Sequence, residues 1–72
     1  MSNYTEKDID TLNRIEWEGG VAEALEYGIK TDDFDSKELK EAWWQLEYHW
    51  LFAKEHRGII EQAMETAEIG DI

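Results

Sequence analysis

The fold of this chain is decided by one aromatic segment near its middle, Glu41-Ala42-Trp43-Trp44-Gln45-Leu46-Glu47-Tyr48-His49-Trp50-Leu51-Phe52. Five aromatic side chains fall within ten residues of a stretch that otherwise reads as helix. At about 100° per residue, the apolar side chains divide between two nearly opposite faces. The first face carries Leu39, Ala42, Trp43, Leu46, Trp50 and Ala53, and the second carries Trp44, Tyr48, Leu51 and Phe52. Because tryptophan and tyrosine dominate interface energetics, we expect the first face to form the core and the second to bind another molecule.

Apolar residues recur at helical spacing along the whole chain, which predicts an all-α fold. Thr5 is a candidate N-cap with acidic residues in the turn that follows it. The helical phase continues across Gly19 and Gly20, so we predict one helix over about 6–27 with a possible kink at the glycines. Gly19 would then be a site of close approach for a bulky side chain of the facing helix. Gly28 is a plausible C′ residue that ends this helix.

The second helix has the best-specified start in the sequence. With Asp35 as N-cap, Glu38 falls at N3, while Phe34 and Leu39 are spaced for a hydrophobic staple. The helical pattern then continues to about residue 68, and it includes Ile60 in the same stripe as Trp50. The two helices, about 6–27 and about 36–68, predict an antiparallel hairpin. One hairpin cannot cover both apolar faces of its longer arm, so we predict a homodimer, or a higher oligomer, that forms a four-helix bundle.

Composition narrows the class of protein further. The 72 residues predict a single domain over 1–72 with frayed ends, and the absence of cysteine excludes thiolate metal sites and disulfides. No apolar run approaches the roughly 20 residues of a membrane span, and none near the start resembles a signal peptide. We therefore expect a cytoplasmic protein without membrane contact.

Candidate catalytic and metal-binding residues are few. His49 and His56 lie seven residues apart on a helix, about 10 Å, which is too far for one metal ion. The loop that contains Asp32, Asp33 and Asp35 lacks the glycine and the distal glutamate of a calcium-binding loop. The preference of aspartate for turns and helix caps explains these residues better. With no nucleophile–base pair and no phosphate-binding glycine loop, the sequence predicts no enzyme activity, no metal and no cofactor.

The acidity has two interpretations. Eighteen acidic residues against seven basic ones give a formal net charge of −11, which disfavours direct binding of nucleic acid. The first interpretation is solvation of an apolar-rich small protein. The second is that carboxylates imitate the phosphates of a nucleic acid and occupy a basic nucleic-acid-binding protein. The candidate acidic surface is formed by Asp32, Asp33, Glu41, Glu47 and Glu55.

In size, acidity and lack of a catalytic pattern, the chain resembles the small accessory proteins encoded by bacteriophages. That resemblance implies an inhibitor or accessory protein that occupies a host or defence protein in the host cytoplasm. The first functional hypothesis is therefore a non-catalytic binding protein that acts through its acidic surface or through its second apolar face. The alternative is a structural or assembly protein that oligomerises through that same face and is acidic only for solubility.

Overall fold

The described part of the chain folds into α-helices. The computed structural model describes residues 4–49 and 54–69, and within these ranges it contains no strand. The helices are α1 (Glu6–Glu18), α2 (Val21–Glu26), α3 (Lys37–His49) and α4 (Lys54–Thr66), with a short 3-10 helix, Thr31–Asp33, between α2 and α3. The predicted all-α class is confirmed. The chain ends expected to fray, 1–3 and 70–72, lie outside the described residues.

The predicted single helix over 6–27 is wrong, because the glycine pair ends it. Gly19 has φ 105°, a left-handed conformation that other residues rarely adopt. Its N–H donates to Glu16 O at 3.2 Å, and the N–H of Gly20 donates to Ile15 O at 3.0 Å, which together form a Schellman motif. The predicted close approach at Gly19 is also wrong, since the nearest atoms to a Cβ placed there belong to the Glu23 side chain.

The break also changes which residues of the next helix face inward. Continuation of the α1 phase places Ala22 in the core, but Ala22 is exposed and Val21 and Ala24 are buried instead. The helix α2 then ends as predicted at Gly28, where the N–H of Ile29 donates to Ala24 O at 3.2 Å. The chain therefore makes a short separate helix where the periodicity predicts one long helix.

The predicted single helix over 36–68 is also replaced by two helices. The helices α3 and α4 pack against each other, and α4 also packs against α1 and α2. Leu39 of α3 and Ile60 of α4, which the periodicity assigns to one stripe, are both fully buried in one core. The fold is therefore not the predicted two-helix hairpin, and the chain itself supplies the layer that covers the core face of α3. The junction of the two helices, residues 50–53, lies outside the described residues.

Among the described residues, Trp43 is the largest fully buried side chain of the core. Its indole Nε1–H donates to Ile29 O at 2.9 Å, and its ring lies 5.5 Å from the Phe34 ring between centroids. The indole thus fills the space beside the α2–α3 connection and satisfies a backbone carbonyl there. The other core side chains that are at most 5% exposed are Leu12, Ile15, Val21, Ala24, Ile29, Phe34, Leu39, Ala42, Leu46, Ile60 and Ala63.

Asp8 is a fully buried carboxylate that joins the beginnings of α1 and α3. Its Oδ2 accepts the N–H of Thr5 at 3.2 Å, and Thr5 Oγ1 accepts the N–H of Asp8 at 3.2 Å, which makes the predicted Thr5 N-cap a full capping box. Its Oδ1 also accepts the N–H of Asp35 at 2.7 Å and that of Ser36 at 3.1 Å. One side chain therefore binds backbone donors at the beginnings of both helices.

The start of α3 differs from the prediction by one residue. The helix begins at Lys37, and Lys40 N–H donates to Ser36 O at 2.9 Å, so Ser36 holds the N-cap position predicted for Asp35. The Asp35 carboxylate instead accepts the hydroxyl of Thr5 at 2.7 Å and lies 3.8 Å from Lys7 Nζ. Asp35 thus reinforces the junction that Asp8 makes between the two helix starts.

Asp8 has a pKa below its ordinary value although it is buried. Burial opposes ionisation, but the N–H groups of Ser36, Asp35 and Thr5, together with the Thr5 hydroxyl, favour the charged form and outweigh it. A carboxylate whose pKa is lowered by folding adds stability at pH values above its unfolded pKa. That stability is lost as the pH falls through the lowered pKa of the folded state.

Replacing Asp8 with asparagine should lower the free energy of unfolding by about 2 to 3 kcal/mol at pH 7, because charge-assisted hydrogen bonds at both helix starts are weakened. Guanidinium unfolding at pH 7 and at several values below 4 measures the difference. The difference in unfolding free energy between the wild type and Asp8→Asn should become smaller as the pH falls below 3.8, the pKa of an aspartate in an unfolded chain. Asp10→Asn, on the exposed side of α1, is the control and should change stability by less than about 0.5 kcal/mol. A difference that is constant with pH would contradict the assigned role of the charge.

Helix α4 ends in the same motif as α1 without a glycine. Glu68 has φ 58°, its N–H donates to Glu65 O at 3.0 Å, and the N–H of Ile69 donates to Met64 O at 2.8 Å. The left-handed conformation costs a residue with a Cβ roughly 1 to 2 kcal/mol. The sequence therefore tolerates local strain at this turn.

Glu68→Gly should raise the free energy of unfolding by about 0.5 to 1 kcal/mol, since glycine removes the strain but also loosens the unfolded chain. In a chain of this size that is a rise of several degrees in melting temperature. Glu61→Gly, inside α4, is the matched control and should lower the stability by about 1 kcal/mol. Equal destabilisation by both substitutions would mean that Glu68 is not strained in solution.

Candidate functional site

The two faces of α3 separate as the sequence predicts. Leu39, Ala42, Trp43 and Leu46 are at most 1% exposed and form the core face. Trp44 and Tyr48 are 45% and 65% exposed, and helical spacing places them opposite that core face. Trp50 and Ala53, assigned to the first face, and Leu51 and Phe52, assigned to the second, lie outside the described residues.

Trp44 and Tyr48 form a pair of tilted rings in contact on the surface, which we call the aromatic face. Their ring centroids are 4.9 Å apart, with 42° between the planes, and the His49 ring lies at the edge of Trp44 with centroids 6.5 Å apart. Residues four apart on a helix lie one above the other, so the helix itself brings the rings together. Contact between the rings restricts the rotamers of Trp44 and Tyr48. These two side chains would therefore lose less conformational entropy when a partner binds them.

The aromatic face has basic as well as acidic neighbours on α3. Lys37, Lys40 and Glu41 are exposed and share the outer side of the helix with Trp44 and Tyr48 by their spacing. With Glu47 at the other edge of this side, the two lysines balance the two glutamates, whereas the whole chain carries −11. A second molecule can therefore approach this surface without the repulsion that an acidic patch would impose on an acidic partner.

Part of the candidate acidic surface is engaged within the fold. Glu47 Oε1 accepts the N–H and the hydroxyl of Thr31 at 3.0 and 3.3 Å, which ties α3 to the start of the 3-10 helix. Asp33 Oδ2 accepts the N–H of Lys30 at 2.8 Å. Glu47 therefore lies beside the 3-10 helix that carries Asp32 and Asp33, so three of the five predicted acidic residues share one region. Two of those three carboxylates have a structural role.

The other two predicted acidic residues are exposed and lie on different helices. Glu41 is on the outer side of α3, next to the aromatic face, and Glu55 is in the first turn of α4. A carboxylate in the first turn of a helix interacts favourably with the helix dipole, which explains Glu55 without a partner. The structure thus places these two residues on separate elements.

Sequence reasoning missed two exposed aromatic side chains, Trp17 and Tyr27, which are 90% and 65% exposed. Trp17 belongs to α1, and helical spacing places it opposite the buried residues Leu12 and Ile15. That spacing is visible in the sequence, so the same helical-wheel comparison that separated Trp43 from Trp44 identifies Trp17 as an outward-facing residue.

Comparisons of the chain with protein-family models, with curated proteins and with solved structures give no match. Among residues 4–49 and 54–69 there is no group of three or more histidine, aspartate or glutamate side chains arranged to hold a metal ion. No helix in the described part of the chain is long and apolar enough to cross a membrane. Function must therefore be argued from the exposed surfaces themselves.

Adjacent tryptophans test the division between core and surface. Trp43→Ala should cost about 3 to 5 kcal/mol and unfold a domain of this size, because it leaves a large cavity and removes the hydrogen bond to Ile29. Trp44→Ala should retain the helical circular dichroism and lose less than about 1.5 kcal/mol, since the ring is 45% exposed. Thermal unfolding of both variants over a range of protein concentrations measures the contrast. Comparable losses would mean that the two faces of α3 are not distinct in solution.

Proposed function

We propose that this protein is a non-catalytic protein-binding module that contacts its partner through the aromatic face. The observation that supports the proposal is the exposed pair of contacting rings, Trp44 and Tyr48, on the side of α3 opposite the core. Large amphipathic rings held by a rigid helix are the typical centres of protein interfaces. A small chain that covers a partner's working surface blocks or redirects that partner without chemistry, which fits an inhibitor or accessory protein of the phage type.

The net charge supports a basic partner, and a nucleic-acid-binding protein is the best-matched class. At −11 the protein attracts a basic surface over a distance of about 10 Å at moderate salt, and this attraction speeds encounter. In this proposal charge sets the rate of association, whereas the aromatic face sets how long the complex lasts.

Self-association through the same face is the second candidate function, and the local charge favours it. Two copies of a chain with net charge −11 repel each other, so their contact is best placed where basic residues balance the acidic ones. The outer side of α3, with Lys37 and Lys40 beside Trp44, meets that condition. A dimer formed here serves a structural or assembly role.

The test compares the wild-type chain with W44A/Y48A and with W17A, a control that removes another exposed tryptophan. Sedimentation over a range of concentrations measures self-association, and affinity capture from the cells that express the chain measures partner binding. The proposal expects a captured protein that W17A retains and that W44A/Y48A loses, with at least about 30-fold weaker affinity, equivalent to about 2 kcal/mol.

The outcomes separate the two candidates. A wild-type dimer that W44A/Y48A converts to monomer, with no partner dependent on the face, supports the assembly role. A foreign partner whose association rate falls with salt supports the charge-steered binding protein. If W44A/Y48A behaves as wild type in both measurements, the aromatic face is not a binding surface.

A further inference from the structure

A second surface has the form of a docking groove, and the residues that line it lie outside α3. It lies between the end of α1, the start of α2 and the end of α4, is open to solvent and has a volume of about 310 Å³. Its apolar floor is formed by Val21, Met64 and Ile69, and the exposed carboxylates of Glu16, Glu61 and Glu65 line it. We call it the carboxyl-end groove, since the last turns of α1 and α4 contribute to it. No residue of α3 lines it, so it is separate from the aromatic face.

The two Schellman turns place the lining residues of this groove. At the end of α4, the bond from Ile69 N–H to Met64 O brings the chain back so that both apolar side chains lie at the floor. At the end of α1, the bond from Gly20 N–H to Ile15 O directs the chain into α2, where Val21 completes the floor. Glu68, the left-handed residue of the α4 turn, directly precedes the lining residue Ile69.

The side chains at the groove are negatively charged, whereas positive charges would stabilise the carboxyl ends of these helices. The last turns of α1 and α4 contain no basic residue, although lysine or arginine there would stabilise the partial negative charge of a helix end. Glu16 and Glu65 stand in those turns instead and add to the negative potential. The start of α2 also lies at the groove, but that helix has only six residues and carries Glu23 in its first turn. A local arrangement that sacrifices stability is characteristic of a functional surface.

We propose that the carboxyl-end groove binds a short basic segment of a protein partner, in which one large apolar side chain is flanked by lysine or arginine. The apolar side chain enters the space above Val21, Met64 and Ile69, and the thioether of Met64 adapts to its shape. The flanking cations lie near Glu16, Glu61 and Glu65 and near the two helix ends. This groove is a second contact that does not depend on the aromatic face.

The probe is a fluorescein-labelled Lys-Lys-Leu-Lys-Lys peptide, and its affinity for the full chain is measured by fluorescence anisotropy at low salt. The comparison peptide has serine in place of leucine and the same charge. Loss of the leucine should weaken binding roughly tenfold or more, because an apolar side chain is then no longer buried. Equal affinities for the two peptides would mean that only diffuse attraction to an acidic protein is measured, and they would overturn the proposal.

Two charge-matched variants test the location. E61K/E65K and D10K/E26K both change the net charge from −11 to −7, but only the first alters the groove. The first should weaken the leucine peptide at least tenfold and the second by less than threefold. E61K/E65K should also melt at a temperature equal to or above that of the wild type, since lysine is favoured near the end of a helix. Equal weakening by both variants would overturn the proposal.

Chemical-shift mapping with ¹⁵N-labelled protein separates this inference from the proposed function. The leucine peptide should shift the amide signals of Gly20, Val21, Met64 and Ile69 and leave the indole signal of Trp44 in place. Shifts centred on Trp44 and Tyr48 would refute the groove and support the aromatic face as the site of binding. W44A/Y48A should bind the peptide as the wild type does, whatever its effect on other partners.

Discussion

The arrangement of the helices depends on the hydrogen bonds that the buried carboxylate of Asp8 accepts. A charge without solvent is costly unless backbone donors surround it, and Asp8 receives N–H groups from Thr5, Asp35 and Ser36. Those donors come from the starts of α1 and α3. Asp8 and Asp35 are 27 residues apart in the sequence. The carboxylate therefore fixes where α3 begins relative to α1. This junction also determines which side of α3 faces the core and which side faces outward.

Once α3 is placed, its division into a core face and an aromatic face follows from helical geometry. Trp43 turns inward and donates its indole N–H to Ile29, while its neighbour Trp44 turns outward to meet Tyr48. Because α4 packs against α3, the core face is covered within the chain. The aromatic face remains exposed, which is why the proposed function is centred on Trp44 and Tyr48.

The helix ends connect the fold to the second proposed surface. The same turn motif ends α1, α2 and α4, but the chain supplies glycine only at Gly19 and Gly28 and accepts strain at Glu68. The turns at Gly19 and Glu68 meet at the carboxyl-end groove, where negative charge accumulates on negative helix ends. The stability of these helix ends and the proposed binding of a basic segment thus make opposite demands on this part of the molecule.

The sequence by itself determined the helical class, the N-cap at Thr5, the stop at Gly28 and the two faces of α3, because each depends on residues within a few positions of one another. Only the tertiary structure decided that the glycine pair separates α1 from α2 and that α4 packs against α3. Helical periodicity continues across such breaks and cannot reveal them. The role of Asp8 at the start of α3 and the assembly of the groove were likewise beyond sequence reasoning, since both join residues that only folding brings together.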